Sequence, residues 1–397
     1  MRPVETQTLL AVQAGRLFDG ERSLGPSTVL IAGDRIIDVD TTGALPPAHA
    51  QVLDLGHDVC IVPGLIDAHV HLAFDASSDV VSAVNAADDG QLLAQMARSA
   101  LRALRAGITT VRDLGDRSFL ALTLRDRLGQ WAPGGPEIVA SGPPITVRGG
   151  HCHFLGGVAD GPQELRAAVR ERAQRGCEFV KVMISGDHLT AGSSPYHSQY
   201  ELADLRLIVA EAHRLGMRTA AHVHGPRAVA DAVSVGFDTL EHVTFLTADG
   251  VAADPTTLAA IVDSAAVVSA TVGDVPGQWE MSPSIASHLE VMIESLARLH
   301  AAGAPIVPGT DAGVAPYKPH DVLPYGLVAL TGLGMTHLEA LRAATSLAAD
   351  ACGLTGRKGR LVPGADADLL AVNGNPLADI RAIHDVVAVF RAGHRVR

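Results

Sequence analysis

The chain has 397 residues, 47% of them hydrophobic and 19% charged, with a formal net charge of −12. That size and apolar content call for one large globular unit with room for a smaller one, and they exclude a disordered protein. The acidic balance argues against nucleic acid or an anionic membrane as partner, no run of about 18 apolar residues is present to cross a bilayer, and the first residues lack the features of a secretory leader, so a cytoplasmic protein is expected.

Three early segments, at about 9–18, 28–39 and 51–62, alternate apolar and polar residues like strands, with Ala32-Gly33-Asp34-Arg35 as a hairpin turn. The same texture returns in Ala367-Asp368-Leu369-Leu370-Ala371-Val372 and in Val386-Val387-Ala388-Val389-Phe390. Residues 1–62 and 358–397 are therefore expected to share one small β-sandwich domain. Between them, strands are predicted at about 61–67, 108–113, 137–141, 179–184, 218–223, 239–243, 266–272 and 305–310. Helical stretches separate them, for example 161–175 and 201–215, with capping residues in Asp160-Gly161-Pro162 and between Ser198 and Glu201. Glycines close several helices, as at Gly107, Gly176, Gly216 and Gly303. Eight strands alternating with helices predict an α/β chain folded as a (β/α)8 TIM barrel over 63–357. A doubly wound open sheet is the alternative, but no glycine-rich nucleotide loop opens the series.

His69-Val70-His71 stands at the end of the first apolar run of this region. Side chains alternate along a strand, so histidines one residue apart face the same way and can reach one metal ion. Lys181, His222, His242 and Asp311 each sit in or at the end of a later predicted strand, the end at which a barrel builds its active site. A lysine in a strand core is costly unless its charge is removed or paired. Carboxylation by carbon dioxide would turn Lys181 into a carbamate anion able to bridge two metals; a lysine snorkelling to the barrel mouth is the plainer reading. Four histidines, a carbamate and a carboxylate are too many for one tetrahedral Zn2+ but suit two. His69, His71 and Asp311 would hold one ion, and His222 and His242 the other. A bridging hydroxide would be the nucleophile, and Asp311 would pass its proton to the leaving nitrogen.

Together these residues resemble the amidohydrolase superfamily, whose pattern is HxH after strand one, lysine on strand four, histidines on strands five and six and aspartate on strand eight. The resemblance spans nearly the whole chain and includes Pro63-Gly64-Leu65-Ile66-Asp67-Ala68-His69-Val70-His71, Leu240-Glu241-His242, Gly309-Thr310-Asp311-Ala312-Gly313 and Pro363-Gly364-Ala365-Asp366-Ala367-Asp368-Leu369. Within it the chain is similar to the imidazolonepropionase-like branch that contains Xaa-Pro dipeptidases. That likeness rests on Val180 to Gly186, on Ala221-His222-Val223-His224-Gly225 and on Gly149-Gly150-His151. The resemblance implies a binuclear zinc enzyme that hydrolyses an amide C–N bond of a dipeptide or an N-acyl amino acid, and relatives commonly form homo-oligomers. Imidazolonepropionase is similar in fold but uses one metal and lacks the lysine. The chain departs from the pattern at Gly186-Asp187-His188 and at His151-Cys152-His153, both in loops expected to face the substrate.

Candidate substrate contacts are His151, Arg148 as a clamp for a carboxylate, Tyr196 in the loop after the fourth strand, and His224 on the same face as His222. His320 is a further candidate, and the scattered Cys60, Cys152, Cys177 and Cys352 read as small buried hydrophobes. Two other functions remain open at this level: a cyclic amide or imide hydrolase or lactonase using the same hydroxide, and a catalytically dead binding scaffold. A deaminase is disfavoured because no glutamate follows His222 through Arg227.

Overall fold

The computed structural model describes residues 9–130, 134–278 and 286–397. Eight parallel strands form its centre, in two ladders. Leu65–Val70, Ile108–Asp113 and Glu137–Ala140 make the first; Phe179–Met183, Arg218–Val223, Thr239–His242, Val267–Ala270 and Ile306–Pro308 make the second. The edges of the two ladders meet only at isolated parallel bridges, Val70 with Ala312 and Ile145 with Val182. No continuous ladder joins all eight among the described residues. The first, second and fourth strands are buried along their whole length, as strands covered on both faces must be, which is why they read as unbroken apolar runs.

Helices alternate with these strands, and local chemistry sets their ends. Asp88 and Gln91 form a reciprocal capping box that starts Asp89–Arg105, and Leu92, Met96, Ala100, Ala103 and Leu104 make its buried stripe. Gly161–Arg175 and Pro226–Val235 both stop at a left-handed glycine, Gly176 and Gly236. Leu202–Arg214 lies within the expected stretch, but neither Asp160 nor Glu201 caps its helix through a side chain. No described helix is long and apolar enough to cross a membrane.

The N-terminal segment forms one sheet by itself and shares a second with the C-terminal strands. One is ordered Arg35–Asp40, Ser27–Ala32, Leu9–Ala14, Gln51–Asp54; the other runs His394–Arg395, Val386–Arg391, Leu369–Asn373, Val59–Pro63, Arg16–Phe18, Ser23–Leu24. Val12, Val29 and Ile36 of the first share an apolar cluster with Leu17, Ile61, Leu369 and Phe390 of the second. Two expected strands are each broken between the sheets. The 9–18 segment changes sheet at Gly15, where a Cβ would lie 1.8 Å from the His57 carbonyl oxygen. The 51–62 segment breaks at Leu55–Asp58. The expected strand at 61–67 is likewise two: Val59–Pro63 pairs with the C-terminal strand Leu369–Asn373, and Leu65–Val70 begins the central series. The apolar run is continuous across both, so periodicity could not place the break at Gly64. There a Cβ would meet the Thr109 side chain at 2.1 Å.

Candidate metal centre

Five of the eight strands bring the candidate ligands to one place. His69, inside the first strand, has Nδ1 3.0 Å from Glu241 Oε2 and Nε2 3.6 Å from Asp311 Oδ1. His71, just past that strand, faces the Gly115 carbonyl with Nδ1 at 3.1 Å and the same Asp311 oxygen with Nε2 at 3.3 Å. In each ring Nδ1 faces an oxygen, the Glu241 carboxylate for His69 and the Gly115 carbonyl for His71, and a proton on Nδ1 leaves an Nε2 lone pair aimed at a carboxylate. That contact is repulsive unless a proton or a cation lies within it.

His222 and His242 repeat the arrangement. Nδ1 of His222 is 3.0 Å from Nε2 of His242. The remaining nitrogens face the Gly186 carbonyl at 3.4 Å and the Thr271 hydroxyl at 3.1 Å. Burial and the surrounding histidines hold both rings well below the ordinary histidine pKa, so both are neutral at pH 7. Two neutral rings converging in this way suit a shared cation. His69, His71 and Asp311 form one set of donor atoms within 4.8 Å of one another, His222, His224 and His242 a second, and His151, Asp187 and His222 a third. Nitrogen and carboxylate oxygen in such sets are the donors a divalent metal takes.

Lys181 is fully buried, with Nζ 3.4 Å from His69 Nε2. Burial brings its pKa down to about 8, so a neutral amine, the form that reacts with carbon dioxide, is accessible near physiological pH. Asp311 is ionised: burial pushes its carboxyl up, but His69 and His71 outweigh this and hold it well below the usual range.

A buried polar layer holds these groups in place. Arg112 bonds Glu241 at 2.9 Å, Thr239 at 3.0 Å and the Ala68 carbonyl at 2.5 Å, and its guanidinium lies 4.8 Å over the Phe179 ring. Glu241 therefore stays ionised in spite of burial and orients His69. Asp67 accepts the backbone N–H and the hydroxyl of Thr310, at 3.0 and 2.7 Å, which anchors the turn that carries Asp311. Asp113 accepts the backbone N–H of Leu72 and of Gly115, beside the carbonyl that receives His71. Backbone strain gathers here as well: His242 and Asp311 have φ of 73° and 59°, in the left-handed region that non-glycine residues rarely enter.

The donor sets open into a cavity of about 420 Å³. His151 and His224 line it. Both nitrogens of His224 are engaged, Nδ1 with Thr244 at 2.9 Å and Nε2 with Asp187 at 3.0 Å. His151 is buried, faces Thr190 through Nδ1 at 3.1 Å, and has its ring centre 4.6 Å from that of His222. Burial lowers its pKa to about 4, so it too is neutral. Arg148 is not among the cavity residues: its position is exposed, on a turn that the barrel does not cover. Tyr196 is half-buried against His188, with ring centres 6.0 Å apart, and does not line the cavity either. His320 reaches the backbone, with Nε2 3.1 Å from the His71 carbonyl oxygen. The four cysteines are free and buried. Sequence reasoning gave no role to Arg112, Glu241 or Asp187. The only signal for the first two was a charged side chain inside an apolar strand, the same signal that marked Lys181.

Comparison with known proteins agrees with this geometry. The family model described as "Amidohydrolase family" matches residues 60–396. Ochratoxinase of Aspergillus niger is 30% identical over 95% of this chain and 84% of its own length. Imidazolonepropionase of Deinococcus deserti is 27% identical over 88% of this chain and 87% of its own. The crystal structure of a Xaa-Pro dipeptidase with methionine bound in its active site superposes with a TM-score of 0.87 at 26% identity, covering 98% of this chain and 100% of that one. The chain belongs to the amidohydrolase family, shares its TIM-barrel type of fold, and is a hydrolase acting on carbon–nitrogen bonds. Members of the family generally bind divalent metals.

Proposed function

We propose that the protein hydrolyses the amide bond of a dipeptide of the Xaa-Pro type or of an N-acyl amino acid, using two zinc ions per chain. The observation that carries this reading is the convergence of His69, His71 and Asp311 on one side and His222 and His242 on the other, with Lys181 buried against His69. We assign the first three to one ion, the next two to the other, and carboxylated Lys181 to the bridge. Resemblance to a Xaa-Pro dipeptidase supports the substrate class. We also assign the site to a closed barrel of 63–357, with 1–62 and 358–397 as a β-sandwich; the isolated bridges at the ladder edges and the shared apolar cluster support both.

Bound metals supply a water that ionises near neutral pH and a polarised carbonyl. The chain's own groups do the rest. Asp311 accepts the proton of the attacking water as the C–O bond forms and returns it to the nitrogen as the C–N bond breaks. His151, neutral and facing the cavity, donates to the carbonyl oxygen of the substrate. Glu241 and Gly115 hold His69 and His71 with Nε2 forward. Elemental analysis of protein grown with added zinc and bicarbonate tests the reading: about two metals per chain is expected, falling to about one or fewer in Lys181→Ala with loss of amidase activity. Full metal content and activity in Lys181→Ala would overturn the bridged site. One metal in the wild type would move the chemistry towards a cyclic amide, and none would point to a binding scaffold.

A further inference from the structure

Asp187 is a carboxylate of the cavity that the hydrolytic machinery does not use and, unlike Asp274, it has no lysine or arginine against it among the described residues. It lies in the loop after Phe179–Met183, with its side chain about one quarter exposed, on the cavity side. Its Oδ2 is 3.0 Å from His224 Nε2 and 3.6 Å from His222 Nε2, and its Oδ1 accepts the His188 backbone N–H. Among the described residues no lysine or arginine pairs with it. A carboxylate offers about four acceptor positions, so room for another donor remains.

The remaining charges of the cavity point the same way. Three carboxylates line it: Asp187, Asp274 and Asp311. Among the described residues lining it, Lys318 is the sole lysine or arginine. Its ammonium is already spent on the carbonyls of Thr310, Thr271 and Gly273, at 2.9, 3.2 and 3.4 Å, and on Asp274 at 3.2 Å. With Arg148 outside, none of these side chains places a free permanent cation against Asp187, so its carboxylate remains open to an incoming ammonium. Apolar side chains of Leu189, Leu246, Leu289, Met292 and Val314 also line the cavity.

We propose that Asp187 is a specificity-determining residue that receives the protonated amine of the substrate. The preferred substrate is then an aminoacyl amide or dipeptide with a free α-ammonium and an apolar side chain, not an N-acyl amino acid. This rests on the amide-hydrolase reading above and narrows it. The bond cleaved is the same, and the ammonium stays on the acyl product.

The test is a matched pair of substrates, methionyl-proline and N-acetyl-methionyl-proline, given to the metal-loaded full-length protein and to its Asp187→Asn variant. A charge-assisted hydrogen bond in such a site is worth roughly 10–100-fold in kcat/KM. The wild type is expected to favour the free amine by about that factor, and the ratio is expected to collapse towards unity in Asp187→Asn with metal content unchanged. The proposal is overturned if the wild type prefers the acetylated substrate, or if the preference survives in Asp187→Asn. It is equally overturned if both substrates and the metal content fall together, because Asp187 would then serve only to position His222 and His224. Cleavage of neither substrate, nor of any other linear amide, by the metal-loaded wild type would remove the amide-hydrolase reading itself, a result distinct from cleavage without amine preference.

Discussion

At the scale of single residues, the site combines neutral nitrogen donors with ionised carboxylates, and burial separates the two. Desolvation disfavours charge on every group, but it prevails on the imidazoles, while the Arg112 guanidinium keeps Glu241 ionised and His69 and His71 do the same for Asp311. The Arg112–Glu241–His69 relay shows what that balance depends on. Glu241→Gln would leave Arg112 as an uncompensated buried charge and remove the carboxylate that faces His69 Nδ1. Breaking a buried pair of this kind costs about 3–5 kcal/mol of stability. Loss of the orienting carboxylate costs about 10–100-fold in metal affinity. Denaturant unfolding of the metal-free protein and titration against a competing chelator read the two effects separately. Unchanged values in both would show that the relay is ornamental.

At the scale of elements, the candidate ligands depend on how closely the first and eighth strands approach. Gly309, just past Ile306–Pro308, would place a Cβ 2.5 Å from the Cβ of His69 and 2.4 Å from the Ser269 hydroxyl. Its φ is not in the left-handed region, so the requirement is for space and not for backbone freedom. Gly309→Ala should therefore cost about 1–3 kcal/mol by overpacking and push His69 away from Asp311. The expected result is a lower melting temperature together with reduced metal content; wild-type metal content would show that the first strand can yield. The residue after the next is strained instead: Asp311 holds a left-handed φ that asparagine tolerates better than alanine does.

At the scale of the whole molecule, an ion network ties the terminal sheets to the underside of the third central strand. Glu137, the first residue of Glu137–Ala140, meets Arg357, Lys358 at 3.1 Å and Arg391 at 3.4 Å, and Lys358 also reaches Asp366 and Asp368. Burial pushes the Glu137 carboxyl up, but the Arg357 hydrogen bond and the surrounding cations outweigh it and bring its pKa to about 2. A folded pKa below the unfolded value means stability that is present above the unfolded pKa and lost as the pH falls towards the folded one. Glu137→Gln should then destabilise the protein by on the order of 2–3 kcal/mol at pH 7, and the gap from wild type should narrow between about pH 4.5 and 2. Urea midpoints of metal-free protein across that range check the prediction; a gap independent of pH would mean that Glu137 acts by shape alone.

The sequence by itself determined the alternating α/β order, seven of the eight central strands to within about two residues, and the six candidate ligands in their order along the chain. Those features rest on local physics: unbroken apolar runs mark strands buried on both faces, and a histidine, lysine or aspartate at the end of such a run is conspicuous. Tertiary structure decided what local pattern cannot carry. The apolar run through Gly64 did not reveal that Val59–Pro63 and Leu65–Val70 serve different sheets, because both halves are equally buried. It took the folded chain to show Arg112 beside Glu241, Asp187 beside His224, and Lys318 consumed by the carbonyls of Thr310, Thr271 and Gly273, since each partner lies 8 to 129 residues away. Arg148 and Tyr196 were plausible by their place in loops at the correct end of the barrel, yet whether a loop side chain enters a cavity depends on how the loop packs, and no periodicity encodes that.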